Sequence, residues 1–269
     1  MTLPTTDTLL LREDGVMLHV TLNRPELRNA MSLQMTQELR AVFAAIEDNL
    51  AIRAVVLRGA GGHFCAGGDI KDMAGARMQA AQSGNDEAYA DLNRAFGHLI
   101  TQVDHAPQVV IALLEGAVLG GGFGLACVSD VAIASESAQF GLPETGLGVI
   151  PAQIAPFVVQ RVGLTQARRL ALIGARFNGA EAARLGIAHQ VVADAAALDA
   201  ALAEVLAQLR KCAPQANRAT KALLHRVGHE PLAGLLDDAA RQFARAVAGP
   251  EGAEGTMAFV QKRPPAWAE

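Results

Sequence analysis

The stretch VLGGGFGLACVSDVAIA, residues 118–134, joins a glycine-rich loop to a nearly apolar run. Three consecutive glycines at 120–122 are followed, after one phenylalanine, by a fourth glycine, Gly124. No acidic or basic side chain occurs in this stretch before Asp130. Because glycine lets the backbone approach a ligand closely, we expect the loop to act through its N–H groups.

A second glycine-rich segment, GGHFCAGGDI at 61–70, has the same setting as the first. Each segment follows a short apolar run typical of a buried strand, AVVLR at 54–58 and VVIALL at 109–114. Parallel sheets place ligands at loops that follow their strands. Two N–H groups aimed at one point would form an oxyanion hole, which stabilises charge on a carbonyl oxygen. Either segment alone is compatible with a tight turn, but the pair favours a site.

The surrounding sequence predicts alternating strands and helices. Alternating apolar residues at 16–22 predict a strand. Apolar residues at helical spacing over 33–50 predict a helix, with Ser32 as its N-cap. Residues 72–104 are more polar and predict a loop followed by a helix.

The second half of the chain divides into two regions of different character. Short apolar runs at 131–134 and 187–192 predict further strands, and the alanine-rich sequence after them predicts helices. We therefore predict an α/β core over 1–195 that carries the ligand site. Residues 196–269 are predicted to form a helical region for oligomerisation or capping, although its apolar stripe could equally pack on its own core.

Composition excludes several classes of protein. With 51% hydrophobic and 19% charged residues, the 269-residue chain is typical of a globular protein. A net charge of -4 gives no electrostatic reason to expect nucleic acid or an anionic membrane as a partner. The sequence shows no signal-peptide pattern and no apolar run long enough to span a bilayer. Three scattered cysteines predict no disulfide framework, so we expect a cytoplasmic protein.

Common nucleotide, hydrolase and metal motifs are missing. The glycines at 120–125 do not fit GxGxxG, and neither a phosphate-binding GxxxxGK[ST] nor a GxSxG motif occurs in the sequence. His225 and His229 have the spacing of a metal-binding pair but lack a third ligand in pattern. We therefore predict no metal site.

A single carboxylate stands out in the segment AQFGLPETGLGVIP at 138–151. Glu144 lies between Pro143 and a glycine-rich turn in an otherwise apolar setting. Partial desolvation there would raise the pKa of Glu144 toward values useful for proton transfer. The alternative is a glutamate that only begins a helix after a proline.

Five motifs in this order resemble the crotonase superfamily, the enoyl-CoA hydratases and isomerases, over about residues 16–265. They are LNRPELRNAMS at 22–32, FCAGGDIKDM at 64–73, GAVLGGGFGLACVSDVAIAS at 116–135, AQFGLPETGLGVIP at 138–151 and EGTMAFVQKRPP at 254–265. The resemblance implies an α/β spiral of ββα units with a C-terminal helical trimerisation region. It also implies an acyl-CoA substrate, no separate cofactor because coenzyme A is part of that substrate, and a homotrimer or a dimer of trimers.

The resemblance also implies a set of site residues. The oxyanion hole would be the amides of Ala66 and Gly121, with Glu144 as the acid–base group. The coenzyme A moiety would contact Arg28, Ala30, Ala66, Gly67, Gly68, Asp69, Ile70 and Lys71. Phe259 and Lys262 match residues that a neighbouring subunit lends to the same site.

Gly124 departs from the superfamily pattern. Hydratases of the superfamily usually carry one glutamate after the glycine triplet and a second in the Pro-Glu motif. Gly124 stands at the first position and Glu144 at the second, so one acid–base group is missing. One carboxylate is compatible with hydration or with isomerisation, and the count of glutamates alone favours isomerisation.

Other residues favour hydration. The glycine stretch and the segment IPAQIAP at 150–156 resemble the bacterial branch that hydrates 3-methylglutaconyl-CoA and isohexenylglutaconyl-CoA, in leucine and acyclic terpene catabolism. We hypothesise that Gly124 vacates volume and removes a charge, both of which suit a bulky, anionic acyl group. Gln153 and Arg161 are the candidate partners of the distal carboxylate; Gln153 is the better placed, and Arg161 is more simply explained as a surface helix residue. We therefore predict a hydro-lyase, with an isomerase and a non-catalytic CoA-binding homologue as alternatives.

Overall fold

The structure is a computed structural model that describes residues 2–268. Its strands are β1 Leu9–Asp14, β2 Met17–Leu22, β3 Ala54–Gly59, β4 Val109–Leu114, β5 Ala117–Leu119, β6 Val131–Ser135, β7 Gln139–Gly141, β8 Arg176–Phe177 and β9 Gln190–Val192. Its helices are α1 Leu33–Ile46, α2 Ile70–Ser83, α3 Glu87–Asp104, α4 Gly121–Val128, α5 Ala155–Leu172, α6 Gly179–Arg184, α7 Ala196–Leu209, α8 Pro214–Arg226, α9 Leu232–Ala248 and α10 Pro250–Val260.

Two sheets organise the strands. The six-stranded sheet has the order β1-β2-β3-β4-β6-β9, in which β1 and β2 are antiparallel and the other neighbours are parallel. The three-stranded sheet has the order β5-β7-β8, with β5 parallel and β8 antiparallel to β7. This mixed architecture confirms the predicted α/β fold.

The central strands bury apolar side chains on both of their faces; Val56 and Ile111, for example, are fully buried on the face opposite to Val55 and Val110. Val55, Leu57, Val110 and Ala112 belong to one continuous apolar core. Parallel strands that are buried on both faces read as near-continuous apolar runs, as the sequence does at 54–58 and 109–114.

Helix α1 has the predicted start but a different end. Ser32 accepts a hydrogen bond from the Met35 amide at 3.1 Å, as an N-cap should. The predicted helix over 33–50 ends at Ile46, whose carbonyl accepts from the Gln108 side chain at 2.6 Å and from the Asn49 amide. Leu50, which the periodicity placed on the buried face, is therefore outside the helix and half exposed.

Residues 72–104, predicted as a loop followed by a helix, instead lie almost entirely in two helices, α2 and α3. Gly84 ends α2 with a φ of 71°, and its amide donates to the Ala80 carbonyl at 2.9 Å. The polar residues that suggested a loop belong to exposed helix faces.

The chain divides into two compact units between Ala201 and Leu202. The first contains both sheets and helices α1 to α6, and the second contains α8 to α10. The division falls within α7, close to the predicted boundary at 195/196. Among residues 2–268, no helix combines the length and apolar character needed to span a bilayer.

Candidate active site

The two glycine-rich segments lie side by side. Cys65 donates its amide to the Ala117 carbonyl at 2.8 Å, and the Leu119 amide donates to the Cys65 carbonyl at 2.9 Å. These bonds align the segment after β3 with β5, so both glycine loops emerge at one edge. Burial raises the pKa of the Cys65 thiol to about 11, so this cysteine supplies no thiolate.

Glu144 lies directly against the glycine triplet. Gly120 adopts a φ of 51°, a conformation that favours glycine. A β-carbon there would lie 2.9 Å from Glu144 Oε1 and 3.5 Å from the Gly67 α-carbon. The carboxylate and both glycine loops therefore meet at Gly120.

Gly121 presents an available backbone donor. It is the first residue of α4, where N–H groups have no intrahelical partner, and no described residue accepts from its amide. The Phe96 ring packs next to this glycine, since a β-carbon at 121 would be 3.2 Å from Phe96 Cζ. The start of α4 thus offers one N–H at a partly exposed position.

The predicted second donor, Ala66, is wrong. Its amide already donates to the Arg28 carbonyl at 3.0 Å. Arg28 and Asn29 both have positive φ values, of 50° and 56°, which turn the Arg28 carbonyl toward the loop. An N–H engaged in this way is not available to a substrate oxygen.

Gly68 is the available amide in the same loop. The loop pairs with Met31, whose amide donates to the Gly67 carbonyl at 2.7 Å and whose carbonyl accepts from Asp69 at 3.0 Å. This pattern skips the Gly68 amide, for which the described residues offer no acceptor. Gly68 is also exposed. Gly68 and Gly121 are therefore the two candidate donors.

Asp69 has a structural role that its predicted ligand contact did not anticipate. Its side chain caps α2 by accepting from the Lys71 amide at 2.7 Å, and it pairs with Arg24 Nη2 at 2.6 Å. Burial alone would raise the pKa of Asp69, but the Lys71 amide and the Arg24 guanidinium together hold it below its ordinary value. The carboxylate fixes the start of α2.

Two residues that the sequence analysis missed hold the loops in place. Arg24 also donates to the Ala30 carbonyl at 2.6 Å, so that carbonyl is engaged. Asn29 is fully buried and donates to the carbonyls of Ala60 at 2.8 Å and His63 at 2.6 Å. The sequence signal for this role was Asn29 itself, because asparagine is one of the few residues that readily adopt a left-handed conformation.

The remaining predicted coenzyme A contacts fall into two groups. Arg28, Ile70 and Lys71 are exposed near the start of α2, while Gly67 is buried with a φ of 106°. In the second unit, α10 ends with an exposed group: Phe259 is 85% exposed, and Lys262 follows the helix with a φ of 53°.

The environment of Glu144 suits proton transfer. The residue begins a short 3₁₀ turn, Glu144–Leu147, directly after Pro143. Its Oε2 atom is buried without a hydrogen-bond partner among the described residues. Burial raises the pKa of the carboxyl above its ordinary value, as the apolar sequence around it predicted.

Gly124 does not open a cavity. It is buried within α4, and a β-carbon there would overlap Ile154 Cγ2 and lie 3.0 Å from Ile100 Cδ1. The space that a glutamate would need is filled by these two isoleucines, so the vacated-volume part of our hypothesis is wrong. The other part of the hypothesis, the absence of a charge at 124, still applies, because the residues packed around Gly124 are apolar.

Gln153 immediately precedes Ile154 in the chain. Its Oε1 atom accepts a hydrogen bond from Nη1 of Arg94, a residue of α3, at 3.0 Å. A β-carbon on Gly97 would overlap the Gln153 amide, so the side chain packs closely against α3. The structure thus gives the predicted carboxylate partner a cationic neighbour.

Comparison with known proteins identifies the family. The sequence profile described as enoyl-CoA hydratase/isomerase matches residues 12–269. The chain belongs to the enoyl-CoA hydratase/isomerase family. This assignment confirms the resemblance to the crotonase superfamily and an enzyme of the hydratase/isomerase type.

Similar proteins extend over nearly the whole chain. The structure of AtuE from Pseudomonas aeruginosa is 66% identical, with 98% of this chain and 100% of that chain covered and a TM-score of 0.95. An enoyl-CoA hydratase/isomerase from Marinobacter aquaeolei is 65% identical, with 97% and 99% covered and a TM-score of 0.94. A probable enoyl-CoA hydratase of Rhizobium meliloti is 37% identical, with 96% of each chain covered.

For a member of this family, the arrangement offers two kinds of chemistry. Backbone amides without acceptors can stabilise negative charge on a thioester oxygen. A desolvated carboxylate beside them can exchange a proton with water or with a carbon next to the thioester. The two contributions are complementary, because the amides stabilise the negative charge that the proton transfer or the addition of water creates.

Proposed function

We propose that this enzyme hydrates a 2-enoyl-CoA thioester to the 3-hydroxyacyl-CoA, using one glutamate and two backbone amides. The observation that carries the proposal is the position of Glu144. Its carboxylate lies against Gly120, where the loops bearing Gly68 and Gly121 meet, and its Oε2 atom lacks a partner. A non-catalytic CoA-binding homologue would have no use for an unpaired, desolvated carboxylate at this point.

The proposed reaction divides the work between backbone and side chain. The amides of Gly68 and Gly121 donate to the thioester oxygen and stabilise the enolate that forms. Glu144 takes a proton from water, whose oxygen bonds to Cβ, and Cα then receives a proton from the Glu144 carboxyl. Each amide is expected to contribute about 10²–10³ in rate, and the acid–base group about 10²–10⁴.

The proposed substrate is a branched glutaconyl-type acyl-CoA, either isohexenylglutaconyl-CoA or 3-methylglutaconyl-CoA, in leucine or acyclic terpene catabolism. Motif resemblance to the branch that hydrates them supports this choice. The apolar contact of Gly124 with Ile154 also supports it, because a glutamate at 124 would repel a second carboxylate on the substrate in a desolvated site.

Isomerisation is the second candidate, and the single carboxylate favours it. One carboxylate can remove a proton from one carbon of an enoyl chain and return it to another. Position 124 supplies no second acid–base group, and its neighbours Ile154 and Ile100 are apolar. Product analysis therefore has to separate the two reactions.

We further propose that coenzyme A binds along Arg28, the loop at 66–71 and the methyl group of Ala30, with no separate cofactor. Phe259 and Lys262 would come from a neighbouring subunit of a homotrimer or a dimer of trimers. Helix α9 supports an oligomer, because one face of it exposes apolar side chains. They are Leu232, Leu236, Phe243 and Val247.

A panel of enoyl-CoA thioesters tests the proposal. Crotonyl-CoA, 3-methylglutaconyl-CoA and isohexenylglutaconyl-CoA are compared by the loss of enoyl absorbance, with wild-type enzyme and with Glu144→Gln. We expect a branched glutaconyl substrate to give the highest kcat/KM, and Glu144→Gln to lose most turnover while still binding the thioester. Equal turnover by Glu144→Gln would remove this residue from the mechanism. A preference for crotonyl-CoA would overturn the substrate assignment.

A further inference from the structure

Arg94 and Gln153 form a polar pair with unused donors. Arg94 Nη1 donates to Gln153 Oε1 at 3.0 Å. Arg94 is exposed and, within residues 2–268, has no carboxylate partner. The Gln153 amide nitrogen likewise has no acceptor among the described residues. A guanidinium without an acid and an amide N–H₂ therefore lie together.

Gly97 makes this pairing possible. A β-carbon at 97 would overlap Gln153 Oε1 and lie 2.6 Å from Arg94 Nη1. Glycine inside a helix costs about 1 kcal/mol relative to alanine, and Gly97 lies well inside α3. At this position the absence of a side chain lets Gln153 reach Arg94.

The pair lies beside two residues that pack against α4, the helix whose first amide belongs to the candidate site. On α3, Phe96 contacts Gly121, the proposed oxyanion donor. On the segment before α5, Ile154 contacts Gly124. Arg94 is two residues before Phe96 in the chain, and Gln153 directly precedes Ile154. Ile154 and Gly124 are buried, whereas Phe96 is partly exposed, so an acyl chain that leaves a thioester carbonyl held at Gly121 and passes over the Phe96 ring would approach the pair.

We propose that Arg94 and Gln153 bind the distal carboxylate of the acyl group, and that Arg94 determines specificity for dicarboxylic substrates. This inference rests on the proposed function. The carboxylate would replace Gln153 Oε1 as the acceptor for Arg94 and would also accept from the Gln153 amide nitrogen. A planar guanidinium suits a carboxylate because it donates from several N–H groups in one plane.

The test compares two substrates that differ in the distal charge and in one methyl group. The substrates are 3-methylglutaconyl-CoA and its distal methyl ester, and kcat/KM is measured for both with the full-length enzyme. The variants are Arg94→Met, Arg94→Lys and Gln153→Ala. Arg40→Met is the matched control, because Arg40 is an exposed arginine on α1, away from the pair.

We expect Arg94→Met to lower the acid-to-ester ratio of kcat/KM by about tenfold to a hundredfold, the range for a hydrogen bond to a charged group. The loss should appear mainly as a higher KM for the acid. Arg94→Lys should keep part of the preference, Gln153→Ala should lower the ratio less than Arg94→Met, and Arg40→Met should leave it unchanged.

Two other results overturn the inference in different ways. If the wild-type enzyme prefers the acid and Arg94→Met keeps that preference, Arg94 does not bind the carboxylate, and the proposed function stands. If the wild-type enzyme does not prefer the acid over its ester, the glutaconyl assignment itself fails. Circular dichroism and thermal unfolding establish that each variant is folded, and Arg94→Lys provides a conservative replacement should Arg94→Met be unstable.

Discussion

Gly124 and Ile154 are in direct contact, with the isoleucine γ-methyl group occupying the place of a side chain at 124. Position 124, where the resemblance implies a glutamate in other hydratases, is thus closed by a residue thirty positions later in the chain. A second carboxylate cannot be restored by changing Gly124 alone. The proposed single-carboxylate chemistry would therefore depend on Gly124 and Ile154 together.

This contact predicts coupled effects on stability. Gly124→Ala should lower the free energy of unfolding by about 1–3 kcal/mol because it overpacks this contact. Ile154→Ala should lower it by about 2–5 kcal/mol because it leaves a cavity. The double variant should lose less than the sum, since the smaller residue at 154 makes room for the new methyl group. Denaturant unfolding measures all three.

The control for this cycle is Gly75→Ala, which changes a glycine in α2 where a β-carbon would meet no atom within 4 Å. It should be neutral or stabilising. Losses at 124 and 154 that add to within about 0.5 kcal/mol would show that the two residues do not interact.

The second oxyanion donor can be tested at Gly68. Gly68→Pro removes the amide hydrogen, and we expect kcat to fall by about 10²–10³, the usual cost of one oxyanion donor. Gly68→Ala keeps the amide and adds a methyl group in open space, so it should retain activity. A folded Gly68→Pro enzyme with wild-type kcat would show that this amide takes no part.

The pKa of Glu144 predicts how stability changes with pH. Burial raises this pKa in the folded chain, so the folded state holds the proton more tightly than the unfolded state does. The contribution of Glu144 to stability therefore falls as pH rises through the range between the two pKa values. At pH 7, Glu144→Gln should be more stable than wild type, and the difference should shrink below the unfolded value of about 4.3.

The control is Glu13→Gln, which makes the same substitution at an exposed glutamate on β1 and supplies the baseline against which the Glu144→Gln difference is measured. The acidic limb of the pH profile of kcat/KM reports the same carboxyl, and it should lie above about 4.3. A stability advantage of Glu144→Gln that grows toward low pH would contradict a raised pKa.

Much of the fold followed from local patterns in the sequence. The apolar runs at 54–58 and 109–114 predicted buried parallel strands, and Ser32 predicted the start of α1, because burial and capping depend on neighbouring residues. The end of α1 depended on Gln108, which reaches Ile46 from a distant part of the chain. Such contacts are invisible to periodicity.

The site was predictable to a similar extent. Glu144 stands out by its apolar setting after Pro143, whereas the choice of Gly121 as a donor rests on the resemblance to the crotonase superfamily. The resemblance implied Ala66 as the other donor, and a single sequence does not show the backbone pairing of the loop with Met31 that leaves the Gly68 amide available. Gly124 was interpreted as a vacated volume because its contact with Ile154 depends on the packing of α4 against α5.

The most direct test of the central claim is the fate of solvent oxygen during turnover. Wild-type enzyme is incubated with 3-methylglutaconyl-CoA or isohexenylglutaconyl-CoA in water enriched in heavy oxygen, and the product is analysed by mass spectrometry. We predict a 3-hydroxyacyl-CoA that carries one solvent oxygen at Cβ, formed far more slowly by Glu144→Gln. A product of unchanged mass with a moved double bond would contradict hydration and identify the enzyme as an isomerase.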